Sequence, residues 1–142
     1  MNRTRSAIRT VLCMIVAMAA VLAGTSVAQA TVVSYTVRVK TCDRANADTD
    51  GNLHITILGT AGEVPATELD NPGDDRERNR TDEYDLLGED IGTVTSIILQ
   101  FRLAGSTDWC LVDVVIVGPH GVTVHPFNNF IRNNANIQIG AA

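Results

Sequence analysis

After residue 30 the chain alternates apolar and polar positions with a period of two. In "VVSYTVRVKT", Val33, Tyr35, Val37 and Val39 share one face, and Ser34, Thr36, Arg38 and Lys40 share the other. That is the signature of a half-buried strand. "NLHITILG" puts Leu53, Ile55 and Ile57 on one face, and "TVTSIILQFRL" does the same with Ile97, Leu99 and Phe101. "DEYDLL", "WCLVDVVIVG" and "GVTVHPF" complete the clear strand segments. The stretch from Gly62 to about Thr81 is polar and contains Pro, with room for one short strand near Ala66 to Leu69. The Asn-rich end, "NNFIRNNANIQIGAA", reads as either a last edge strand or a frayed tail. No segment keeps a helical period over three turns.

Seven or eight short strands between turn signals predict an all-β chain, an antiparallel β-sandwich, with a small β-barrel as the alternative. Residues 31–142 are long enough for a single domain with one core. Residues 1–30 read differently. Arg3, Arg5 and Arg9 precede the apolar run "VLCMIVAMAAVLAG", and small residues lead to "AQA". This is the pattern of a secretory signal peptide cleaved near Ala30. The apolar run is short and Ala-rich for a membrane span. The expectation is therefore a secreted, extracellular protein.

Charge narrows the partners. Without the leading segment, eight Lys and Arg face sixteen Asp and Glu, a formal charge of −8. This excludes nucleic acid, whose phosphates need clustered Lys and Arg. It favours multivalent cations wherever carboxylates converge. Cys13 leaves with the signal, so Cys42 and Cys110 remain. An even count in an oxidising compartment points to a disulfide, and two buried free thiols are the alternative.

"NADTDGN" opens like a calcium loop, with Asn46, Asp48 and Asp50 at alternate positions and Gly51 after them. An EF-hand needs a bidentate acid at its twelfth position and flanking helices. Here the twelfth residue is Ile57 and both flanks are strands. What remains is a loop rich in hard oxygen donors, Asp43, Asn46, Asp48, Asp50 and Asn52. Such a loop suits calcium, and Asp, Asn and Gly also make ordinary polar turns.

The order of segments resembles one family along most of the chain. "YTVRVKTCD", "ADTDGNLHITILGTAG", "RERNRTDEYDL", "IGTVTSIILQF" and "DWCLVDVVIV" follow the pattern of the PLAT domain, the polycystin, lipoxygenase and alpha-toxin module. The resemblance implies an eight-stranded β-sandwich whose loops at one end bind calcium and contact a lipid surface or a protein partner. By that resemblance Thr49 and Asp50 match the Thr-Asp of a Gly-Thr-Asp loop. Asp43 matches the Asp closing the first strand, and Asp82 the acid after a Phe-Glu-Arg-Gly segment. Asp48 stands where the family has Gly and would be an added ligand; Asn52 could offer its amide oxygen at the strand entrance. The metal set implied is thus Asp43, Asp48, Thr49, Asp50, Asn52 and Asp82, with calcium as the ion. The chain departs from the pattern at Arg76, which replaces Phe, at Asn79, which replaces Gly, and at Cys42, which also replaces Gly. The last change implies a lineage that added a disulfide from Cys42 to Cys110.

Other residues read more plainly. Trp109, the single Trp, is expected in the core beside the apolar strand rather than in a membrane. His54, His120 and His125 show no zinc or catalytic spacing, and the nucleophile-elbow, His-Glu-x-x-His and phosphate-loop motifs do not occur. "DDRERNR" reads as a solvated, mixed-charge face. "NRT", Asn79 to Thr81, fits a glycosylation acceptor. The reading that follows is a non-enzymatic, calcium-assisted module for a lipid surface or a secreted protein partner. A calcium-independent adaptor or regulator of another exported protein is the alternative.

Overall fold

The protein is described by a computed structural model covering residues 31–102 and 108–142. The expected signal peptide and its cleavage point fall on residues outside that set. Eight strands follow one another: β1 (Val32–Thr41), β2 (Asn52–Gly59), β3 (Glu63–Glu68), β4 (Thr81–Glu89), β5 (Val94–Arg102), β6 (Trp109–Gly118), β7 (Gly121–Ile131) and β8 (Asn136–Gly140). They form two separate antiparallel sheets in the orders β4-β1-β6-β7 and β3-β2-β5-β8. The sandwich is therefore correct and the barrel alternative is not, because neither sheet closes on itself.

The alternation read from the sequence decides which faces meet. Tyr35, Val37 and Val39 of β1 pack toward Leu53, Ile55 and Ile57 of β2 and Ile97, Leu99 and Phe101 of β5. Trp109, Leu111, Val114 and Ile116 of β6 complete the layer. Trp109 is fully buried, lies 5.8 Å from the Phe101 ring centre and donates its indole N–H to Thr41 Oγ1 at 3.1 Å. A buried Trp needs such a partner.

The Asn-rich end resolves into both a turn and a strand. β7 runs on to Ile131, four residues past the predicted segment, and β8 adds to the edge beside β5. Asn128 and Asn134 adopt left-handed backbone, φ 53° and 59°, which Asn tolerates better than most residues. β3 begins earlier than expected, at Glu63, and Pro65 is admissible there because β3 is an edge strand.

Cys42 and Cys110 form a disulfide, with 5.4 Å between Cα atoms and 68 residues of sequence separation. It joins the end of β1 to the start of β6. With Ala47, Val112 and Phe130 it makes a second apolar cluster outside the main core. A closed loop of this length stabilises by about 4 kcal/mol in the chain-entropy model. Reduction, or a Cys42→Ala, Cys110→Ala pair, should lower the melting temperature by roughly 10 °C or more. Calorimetry with and without reductant checks this.

His125 of β7 is fully buried, its ring nitrogens placed against Thr123 Oγ1 at 3.1 Å and the Ile139 carbonyl at 3.2 Å. Burial holds its pKa below the ordinary value, against the opposing pull of the Ile139 and Gly140 carbonyls. The folded state thus resists protonation. Its contribution is complete above the unfolded histidine value and is lost as pH falls from there toward the lower folded value. Melting temperature should therefore hold above the ordinary histidine value of 6.5 and drop below it, and a His125→Gln variant should show a smaller drop.

Candidate functional site

Antiparallel connection places the loops after β1 and β3 at the same end of the sandwich, with the turn after β7 and the start of β6. The β1–β2 loop, residues 42–51, is held at several points. Cys42 N–H donates to the Cys110 carbonyl, Cys110 N–H to the Ala47 carbonyl, and Asn79 N–H to the Cys42 carbonyl. Ala47 is fully buried, and Asn46 turns the chain with φ 58°. Thr49 Oγ1 accepts from Gly51 N–H at 3.1 Å, a local side-chain turn. Gly51 itself does not take positive φ. A Cβ there would run into the Phe101 ring, so this glycine serves close approach rather than a sharp turn.

The β3–β4 loop, residues 69–80, is organised around a buried arginine. Arg76 is 6% exposed and has φ 59°, a conformation that costs a long side chain about 1–2 kcal/mol. Its Nη2 donates to the Gly51 carbonyl at 2.9 Å, and its Nη1 to the Leu69 carbonyl at 2.9 Å and Tyr84 Oη at 3.3 Å. The guanidinium thereby ties the two loops together. Asp75, buried beside it with 3.8 Å between Oδ2 and Arg76 Nη1, accepts from Asn71 N–H and the Asn71 amide. Asp82 accepts from Arg76 N–H at 2.7 Å and pairs with Arg80 Nε at 3.0 Å. Arg76 Nε is buried without a partner. Desolvation pushes the Tyr84 hydroxyl well above its ordinary pKa, and the Arg76 charge acts in the opposite direction.

The carboxylates sort into two groups. Asp43 pairs with Arg78 at 2.7 Å on the surface, and buried Asp82 is engaged as described. Asp48 and Asp50 are exposed, as is Asn52 at the start of β2. Across from Asp48 and Asp50, the 69–80 loop brings Asp74 and Glu77. The Glu77 carboxyl is raised above its ordinary pKa first by Asp74, then by partial desolvation and by Asp48 and Asp50, with Arg80 opposing. Like charges raise a carboxyl's pKa only when they are near one another, so acids from both loops share one field. Asp74 and Glu77 were not among the residues expected at the site. Their run, "DDRERNR", alternates acids with arginines and reads as a solvated face. The usable signal was the neighbouring turn-rich "NPG", which marks a second loop able to fold back on the first.

Calcium takes six to eight hard oxygen donors, many of them carbonyl or water. Asp48, Asp50, Asp74 and Glu77 supply suitable donors at one end of the fold. Among the described residues no three acids, His or Cys stand close enough to encircle an ion as they are. The donor chemistry fits calcium, and an ion there would have to draw the exposed side chains together. His120, at the opposite end, pairs with Asp90 at 2.7 Å. With that partner and the Gly92 N–H, Asp90 lies below its ordinary carboxyl value, the backbone bond acting first.

Removing the guanidinium isolates the tie between the loops. Arg76→Ala should lower stability by about 2–4 kcal/mol, through lost carbonyl bonds and an unpaired buried Asp75. It should also raise amide exchange at Gly51 and its neighbours. Arg76→Lys should recover little, because one ammonium cannot reach both loops in fork geometry. Denaturant unfolding and hydrogen exchange measure the two effects.

The fold has known counterparts. The chain matches the PLAT/LH2 domain family over residues 35–137. It is 32% identical over 83 residues to human lipoxygenase homology domain-containing protein 1, covering 58% of this chain and 4% of that protein. It is 31% identical over 101 residues to the allene oxide synthase-lipoxygenase protein of Plexaura homomalla, covering 68% of this chain and 10% of that one. The chain thus spans a small fraction of the length of these relatives. Among solved structures, coral 8R-lipoxygenase, described as activated by calcium through a C2-like domain, superposes with a TM-score of 0.70 at 26% identity, over 77% of this chain and 17% of that one. The alpha toxin of Clostridium absonum shares the fold, with a TM-score of 0.65 at 22% identity over 75% of this chain and 31% of the toxin. With a family match that covers most of the chain, this protein belongs to the PLAT/LH2 domain family.

Proposed function

We propose that the protein is an exported, non-enzymatic binding module that takes up calcium at the end formed by the 42–51 and 69–80 loops. The observation that carries this reading is that Asp48, Asp50, Asp74 and Glu77, while not close enough to encircle an ion as they stand, lie on two loops that Arg76 fastens together and act on one another's charge. The earlier set is retained in part. Asp48 and Asp50 would be direct ligands. Thr49 and Asn52 border them. Asp43 and Asp82, held by Arg78 and Arg80, would shape the loops from behind. A bound calcium would cancel part of the local negative charge and turn a repulsive end into one that accepts anionic groups. The calcium-linked lipoxygenase relatives support this assignment. Export is supported by the Arg3, Arg5 and Arg9 leader pattern and by the Cys42–Cys110 disulfide.

The partner would be an anionic surface, a lipid headgroup layer or an acidic protein, reached through calcium. Insertion of a large apolar side chain has little support here. Trp109 is in the core, and Val32, Leu87, Val122 and Val124, the large exposed apolar residues among those described, lie on strands and outside these loops.

Calcium titration by calorimetry is the direct test. Binding should weaken about tenfold or more in Asp50→Asn and in Glu77→Gln. It should also weaken as pH falls, beginning above the range of an ordinary carboxyl because Glu77 is raised. Co-sedimentation with anionic vesicles, with and without calcium, separates the partners: calcium-dependent pelleting assigns a lipid surface, and its absence assigns a protein. If calcium does not bind at all, the calcium-independent adaptor takes the place of this reading.

A further inference from the structure

The two sheets each end in an edge strand on the same side of the sandwich. Among the described residues β4 pairs only with β1, and β3 only with β2. The two edges pinch together where Gly88 of β4 meets Val64 of β3; a Cβ at Gly88 would stand 2.9 Å from a Val64 methyl. Outside this pinch lies an open groove of about 530 Å³ lined by Val32, Glu63, Pro65, Leu87, Gly88 and Glu89. Its apolar wall is well exposed, Leu87 at 76% and Val32 at 67%. Its acids, Glu63 and Glu89, have no ion-pair partner among the described residues.

Charge along these edges has one sign. β4 reads "TDEYDLLGE" and β3 "EVPATE", six acids with no Lys, Arg or His. Acids on an edge prevent strand pairing between two copies of the same chain, since like charges would face each other. The same acids repel an anionic bilayer. They do not oppose a basic strand. On β4 the Glu83 and Glu89 carbonyls already accept from the Asn71 amide and the Tyr35 hydroxyl, so the main-chain groups open to an added strand lie between them, at Asp85 and Leu87; alternate side chains of that strand reach the sheet face. Leu87 and Glu89, two residues apart, share one face of β4, and Val32 is registered against Glu89. Apolar residues of an added strand would therefore rest on Leu87 and Val32, and a Lys or Arg two positions further on the same face would reach Glu89, with Glu63 and Pro65 across the groove.

We infer that the groove between the β3 and β4 edges docks an extended, basic segment of a protein partner, which adds as a fifth strand beside β4. This surface lies along the side of the sandwich and uses none of the acids assigned to calcium, so the two assignments stand or fall separately.

The test is titration of the ¹⁵N-labelled chain with a blocked heptapeptide that carries lysine, valine, valine and lysine at its odd positions, which share one face of a strand, and serine at the even ones. A lysine–serine counterpart, with serine for both valines, and a glutamate–valine counterpart, with glutamate for both lysines, serve as controls. The expected result is shifts in β4 and in the first half of β3, with slower amide exchange along β4 as its edge is covered. Affinity should fall about tenfold in Leu87→Ser and in the Glu63→Gln, Glu89→Gln pair, and the lysine–serine peptide should bind about as weakly. These positions are exposed, so thermal melts of the variants should match the parent; Leu87→Lys offers a second exposed variant that should abolish binding. Equal binding of the lysine–serine peptide, or an unaffected Leu87→Ser variant, would reduce the surface to non-specific charge and overturn the proposal. So would shifts confined to the 42–51 and 69–80 loops, unchanged exchange along β4, or no binding at millimolar peptide.

Discussion

A single guanidinium, taken almost wholly out of water, sets the geometry of the acidic end of this sandwich. Arg76 reaches the Gly51 carbonyl in one loop and the Leu69 carbonyl in the other. Without those bonds, the two loops would be linked chiefly by the Asn79 to Cys42 hydrogen bond and the Asp43–Arg78 surface pair. A surface pair of that kind contributes little, so the buried contacts decide the spacing of Asp48 and Asp50 from Asp74 and Glu77. The arrangement is costly. It desolvates a charge, leaves Nε unpartnered and places a long side chain in left-handed backbone. Such costs persist where the surrounding structure over-determines the conformation. Here Asp82 fixes the Arg76 N–H and the Tyr84 hydroxyl takes part of the head group.

The disulfide reinforces the same end from the outside. It anchors the start of the 42–51 loop to β6, and Ala47 inserts beside it. The loop is thus held by backbone bonds to Cys110, by a covalent bridge and by Arg76, while its acids point into solvent. Rigid backbone with free carboxylates is a sensible base for a cation site. Only side-chain rotamers need to reorganise when an ion arrives, and the conformational entropy lost is smaller than for an untethered loop.

Much of the fold was legible because a strand buried on one face must alternate. Val33 to Val39, Leu53 to Ile57 and Ile97 to Phe101 gave their strands directly, and Trp109 was placed in the core by its size, its place beside the apolar strand and the family resemblance. β3 was only half legible, since Pro65 and two glutamates on an exposed edge carry no apolar alternation. The candidate site was less readable than the fold. Asp48 and Asp50 stood out by spacing, but Asp74 and Glu77 sit in a run of mixed charge. Nothing local distinguishes a solvated charge run from one that contains a buried arginine. That distinction depends on the Gly51 carbonyl, 25 residues away in sequence. Asn79 is an instructive case. It holds φ 59°, left-handed backbone that Asn is among the few side chains to tolerate.

Arg76 follows a related logic. An apolar side chain at this place would contribute through area alone, with no preference for where the carbonyls point. The guanidinium contributes less net free energy after desolvation, yet its donors are directional and bind two named carbonyls. Packing gives way to geometry at the one position that both loops share. The charges divide in the same way. Arg80, paired with Asp82, opposes the acids around Glu77, while the Arg76 charge faces Asp75 and the Tyr84 hydroxyl beneath the loops.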